Sequence, residues 1–94
     1  VNAFDLSKVT APTEARISGH PLMIRPGTTK AGRYWQLLTL DGVPVGMVAE
    51  HWVRALGRIH QVYEASVSTS DRTSQAVSAM AAAQFVARSL EARR

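Results

Sequence analysis

The chain reads as α+β: a three- to four-stranded antiparallel β-meander with a C-terminal α-helix packed on one face. Three observations carry this. Asp41-Gly42 lies between two apolar runs, where a hairpin turn would fall. Residues 59 to 68 alternate with a period of two, as a half-exposed strand does. From Thr73 to Ala92 the chain is rich in Ala, Gln, Met, Leu and Arg and has no Gly or Pro, which predicts a helix.

Taken in order, Val1 to Gly19 shows no sustained period and includes Pro12, so residues 1–19 read as a partly ordered N-terminal arm before a single domain at 20–94. Phe4, Leu6 and Val9 could dock that arm, with at most a helical turn from Asp5 to Val9. Pro21 to Arg25 is a short apolar run that the Pro26-Gly27 pair should stop, making a first strand and a turn. The loop to Gly32 contributes Lys30, with Arg25 before it and Arg33 after it. A two-residue type I′ turn at Asp41-Gly42 would then set the register of a hairpin from Arg33 to Glu50. Leu40 should face Val43, Leu38 Val45, Gln36 Met47, and Arg33 Glu50 as an ion pair.

Beyond the hairpin, Trp52, Ala55 and Leu56 followed by Gly57 are spaced for one or two helical turns. The strand at 59–68 puts Ile59, Gln61, Tyr63, Ala65 and Val67 on one face and a more polar set on the other. Ser70, Asp71 and Thr73 are suitable caps for the final helix. Its apolar face holds Ala76, Ala79, Met80, Ala83, Val86, Ala87 and Leu90. Val77 and Phe85 fall on its polar side and call for a second surface. That need, together with the edge strand at 21–25, leads us to expect a homodimer. Arg88, Arg93 and Arg94 complement the negative end of the helix.

At 94 residues the chain is one domain, able to bury roughly 60–65% of its unfolded surface. Apolar residues make up 46% and charged residues 19%, which is enough hydrophobicity for a packed core. The absence of cysteine excludes disulfides, thiolate metal sites and cysteine catalysis. No run reaches the roughly 18 apolar residues of a membrane span, and the polar start is unlike a secretory leader, so a soluble cytoplasmic protein is expected.

Catalytic signals are sparse. His20, His51 and His60 include no closely spaced pair, and Glu50-His51 lacks the second histidine of a helical zinc site. His60 and Glu64 are four residues apart on a strand that rises about 3.3 Å per residue, too far for a direct pair. There is no Gly-x-Ser-x-Gly elbow, no close carboxylate pair and no glycine-rich phosphate loop. No enzyme activity, metal or cofactor is expected.

The charge is more informative. Eleven Lys and Arg against seven acids leave a net +4, which favours an anionic partner. Arg25, Lys30 and Arg33 adjoin Tyr34 and Trp35, while Arg54 and Arg58 follow Trp52. Cations interleaved with aromatics suit phosphates and stacked bases. In a chain with two Trp, two Tyr and two Phe both tryptophans suit the core better than a stacking platform, and the idea needs only one exposed ring. A β-ribbon can also enter the major groove, with Arg33, Gln36, Thr39 and His60 as candidate readers. The expectation is a small basic, non-catalytic nucleic-acid-binding or regulatory module, with Arg25, Lys30, Arg33, Arg54 and Arg58 as its contacts. The alternative is a protein-interaction adaptor or inhibitor working through Val77 and Phe85. No family signature is legible in the residues.

Overall fold

A computed structural model describes residues 4–91. It has an antiparallel sheet and one C-terminal helix packed on it, but the sheet has six strands instead of three or four. In meander order they are β1 (Thr13–Ile17), β2 (His20–Thr29), β3 (Gly32–Leu38), β4 (Pro44–Ala55), β5 (Arg58–Val67) and β6 (Thr73–Ala76). The helix α1 spans Ala79–Arg88. The two additional strands lie at the ends of the meander, one in the segment read as an arm and one in the segment read as the start of the helix.

β1 pairs with β2 from Thr13↔Ile24 to Ile17↔His20. Ser18 (φ 51°) and Gly19 (φ 81°) join them, both at positive φ as a type I′ turn requires. Before β1, Leu6–Lys8 form a single 3₁₀ turn that Asp5 caps by accepting the Ser7 N–H at 3.0 Å. This turn places Leu6 and Val9 in the core.

Pro26-Gly27 does not end the first strand. Pro26 pairs with Trp35 and Gly27 with Tyr34, whose ring lies against the glycine, and the turn falls at Lys30 and Ala31. β1 pairing stops at Ile24, so Pro26 sits where β2 has only β3 as a neighbour and a missing N–H is tolerated.

In the central hairpin the expected pairing of Gln36 with Met47 is present, as are Trp35↔Val48 and Tyr34↔Ala49. Nearer the turn the register shifts, and Leu38 faces Pro44 instead of Val45. Thr39, not Leu40, meets Val43. The Thr39 N–H donates to the Val43 carbonyl at 2.8 Å, and Thr39 Oγ1 accepts the Val43 N–H at 3.1 Å. Only Gly42 has positive φ (89°), so the loop is the three-residue form with a bulge and not the type I′ turn. The bulge buries Val45 as well as its neighbour Gly46.

No helix forms at 50–57. β4 runs on to Ala55 because β5 offers it a full-length partner, from Gly46↔Val67 to Ala55↔Arg58. The helix expected from Thr73 also starts later. Residues 73–76 pair with β5, from Ser66↔Thr73 to Tyr63↔Ala76, and Ser78 is the N-cap, accepting the Ala81 N–H at 3.1 Å. Thr73 and Ser74 are weak helix formers, and pairing with the open edge of β5 satisfies the backbone of residues 73–76. The helix ends at Arg88; Ala92, Arg93 and Arg94 lie outside the described residues.

Ala79, Ala82, Ala83, Val86 and Ala87 are the buried side of α1. These small side chains let the helix lie close over β4, β5 and β6, and they join Leu22, Ile24, Trp35, Leu37, Val48 and Ala65 in one buried cluster. Only this face of the sheet is covered by the helix. Among the described residues, no helix is long and apolar enough to cross a membrane.

Candidate functional site

The two longest neighbouring strands extend beyond the rest of the sheet. β3 pairs with β4 only as far as Ala49, and β6 pairs with β5 only as far as Tyr63. Residues 51–62 are therefore a two-stranded ribbon, joined only through His51↔Val62, Trp52↔Gln61, Val53↔His60, Arg54↔Ile59 and Ala55↔Arg58. At about 3.4 Å per residue it projects roughly 17 Å from His51 to its tip. Leu56 (φ 53°) and Gly57 (φ 74°) form that tip as a second type I′ turn.

Strand alternation sorts the ribbon side chains. Val48 and Ala65 are paired and buried beneath the helix, so two residues on Glu50 and Tyr63 share their face, followed by Trp52 and Gln61, then Arg54 and Ile59. His51, Val53, Ala55, Arg58, His60 and Val62 occupy the other face. Arg54 and Arg58 thus point from opposite sides of one hairpin. Trp52 is 56% exposed, Ile59 63% and Leu56 100%. The sequence HWVRALGRIHQV contains no acid.

The ribbon is clamped at its base. Arg33 Nη2 donates to Glu50 Oε2 at 3.0 Å, and the Arg33 backbone N–H donates to Oε1 at 2.8 Å. Gln61 Nε2 donates to Oε2 at 2.6 Å, tying in the second ribbon strand. Arg33 Nη1 reaches the Ser7 carbonyl at 2.8 Å, and the guanidinium lies 5.1 Å from the Trp35 ring centroid. The Arg33 hydrogen bond holds the Glu50 carboxyl below the usual carboxylate range against the opposing effect of burial. The same bond raises Arg33 above its already high value.

The five cations expected to bind therefore occupy different settings. Arg54 and Arg58 are exposed and come together with Trp52 on the ribbon. Lys30 is exposed in the turn before β3, at the end of the sheet from which the ribbon projects. Arg25 is exposed but lies farther back on β2, opposite Gln36. Arg33 is committed to the clamp. The tryptophans separate too: Trp35 is fully buried and donates from Nε1 to the Val9 carbonyl at 3.0 Å, whereas Trp52 is on the ribbon.

Val77 and Phe85 do not form one strip. Val77 precedes the cap of α1 and is 88% exposed. Phe85 is half-buried on the helix, with the Arg72 guanidinium 5.5 Å from its ring centroid. A hollow of about 370 Å³ adjoins it, lined by Arg72, Gln84, Phe85 and Arg88 among others. Among the described residues, no three His, Asp or Glu side chains gather as a metal site would require.

Leu56 and Ile59 were not anticipated as functional residues, whereas Trp52 was weighed as a stacking ring against a place in the core. The signal available for them was a Leu-Gly pair set between Arg54 and Arg58 in a run, His51 to Tyr63, without an acid. No family model, curated protein or solved structure matches the chain.

Proposed function

We propose that this chain is a small, basic, non-catalytic nucleic-acid-binding module that grips a phosphate backbone with its projecting ribbon. The observation carrying this reading is an acid-free hairpin with Arg54 and Arg58 on opposite faces and an exposed Trp52 between its base and its tip. Guanidinium groups that neutralise phosphates release condensed counterions, and an exposed indole offers a base a stacking surface. Lys30 extends the positive field at the ribbon's base and Arg25 continues it along β2. Arg33 serves the same surface indirectly, by fixing the angle at which the ribbon leaves the sheet. A regulatory role would follow from occupancy alone, since the contacts need no catalytic group.

The rival reading, an adaptor or inhibitor working through the helix, draws less support. One of its two apolar residues, Val77, lies in the link before α1 and not on the helix, and the Phe85 ring is already half covered.

The test is an anisotropy titration of fluorescent DNA and RNA, single- and double-stranded, from low to physiological salt. Binding should weaken steeply with salt. In the Arg54→Glu/Arg58→Glu variant it should be lost at physiological salt while the thermal transition is unchanged. The neutral pair Arg54→Gln/Arg58→Gln should bind weakly, with a salt slope flatter by about 2, or roughly one per phosphate contact removed. Salt-insensitive binding lost on Phe85→Asp would instead support the adaptor. Sedimentation of the same samples counts the ribbons each particle presents and tests the expected homodimer.

A further inference from the structure

We infer that the ribbon is a wedge for double-stranded DNA, and that Leu56 inserts between base pairs while Arg54 and Arg58 face the two phosphate walls of the groove. The inference rests on the nucleic-acid reading and specifies its partner and the distortion it produces.

Leu56 carries it. Both central residues of a type I′ turn need positive φ, and Asn, Asp or Gly adopt it at little cost. A leucine at φ 53° is strained by the contact of its Cβ with the backbone. The residue recovers nothing from burial, since it is 100% exposed. An apolar side chain in a strained conformation at the outermost point of the molecule has no role in the isolated fold, and such outliers concentrate at sites of function.

The surroundings select the partner. Trp52 and Ile59, on one face of the ribbon, would bring further apolar surface behind the tip. A second copy is a poor match for it. The open sheet face has a shallow hollow of about 550 Å³ lined by Tyr34, Gln36, Met47 and Ala49 among others, but its one lining acid, Glu50, is already paired with Arg33 in the clamp, so the hollow offers no free carboxylate to Arg54 and Arg58. A polyanion whose core is a stack of flat apolar rings satisfies both the apolar tip and its cationic flanks. B-form grooves are about 7.5 to 8.5 Å deep, within reach of a ribbon projecting roughly 17 Å. Apolar wedges of this kind unstack a base step and kink the duplex.

The experiment uses the full chain and a 25-base-pair DNA duplex with a donor and an acceptor at its ends and 2-aminopurine at central steps. Saturating protein should shorten the end-to-end distance, by a bend of some tens of degrees, and brighten 2-aminopurine. Leu56→Asn, which suits the turn better, should lose both signals even when the duplex is saturated with protein. Leu56→Phe should keep them. A parent that binds duplex without bending or unstacking it overturns the wedge and leaves the polyanion reading intact. So does a Leu56→Asn variant that bends DNA as the parent does, and so does tighter binding to single strands than to duplex. Failure to bind any nucleic acid at low salt overturns both.

Discussion

Trp35 and Trp52 lie on the same face of the same sheet, one on β3 and the other on the adjacent β4, yet one is fully buried and the other 56% exposed. The residue type is identical, so the difference comes from what lies over each. The docked N-terminal segment closes on Trp35, and Val9 accepts its indole N–H. Trp52 stands on a ribbon with a strand on one side only, beyond the reach of β3 and β6. Burial here is conferred by remote segments, and a strand that outruns its neighbours leaves its apolar residues in solvent, available to a partner.

Mutations can break this contrast. Trp35→Ala removes the largest core side chain and leaves the Val9 carbonyl without its donor, and should cost about 3–5 kcal/mol in denaturant unfolding. Gly46→Ala should come next. Its new Cβ would fall against the Ser66 carbonyl oxygen and within 2.6 Å of Val86 Cγ1, where helix and sheet touch. The expected loss is about 1–3 kcal/mol, because a close-packed core yields little room.

The clamp joins the two regions, and Glu50→Gln should cost about 1–2 kcal/mol through its charged hydrogen bonds. The sign of its pH dependence follows from the lowered carboxyl. Because Glu50 titrates lower in the folded chain than in the unfolded one, its contribution is complete above the usual carboxylate range. It is lost as pH falls through the folded value. The gap in Tm between parent and Glu50→Gln should therefore be constant near neutrality and narrow as pH falls below the usual carboxylate range.

The smallest effects belong to the ribbon. Trp52→Ala should change stability by less than about 1 kcal/mol, in contrast to Trp35→Ala. Leu56→Asn should raise it by about 0.5–1 kcal/mol by relieving the strained turn. Fluorescence sharpens the same contrast: Trp35→Phe should leave a red-shifted emission readily quenched by acrylamide, and Trp52→Phe a blue-shifted, protected one.

Much of the fold was legible in local pattern. The period of two at 59–68 became β5, the hairpin around residue 41 formed with its Gln36–Met47 register, and most of the predicted apolar face of the helix is buried. The Arg33–Glu50 pair was legible too, although its use as a clamp was not. Arg54 and Arg58 could be nominated from composition, but the ribbon that exposes them could not, because 50–57 has a helical spacing that only pairing with β5 overrides.

The sequence by itself determined what depends on near neighbours: alternation, helix composition, the absence of cysteine, and a cationic stretch without acids. Tertiary structure decided the number of strands, the point where the helix begins, the loop at Asp41-Gly42 and which tryptophan is covered. Each of those depends on a hydrogen-bonding edge or an apolar surface supplied by residues distant in the chain. A backbone segment with a weak local preference takes whichever partner satisfies its N–H and C=O groups.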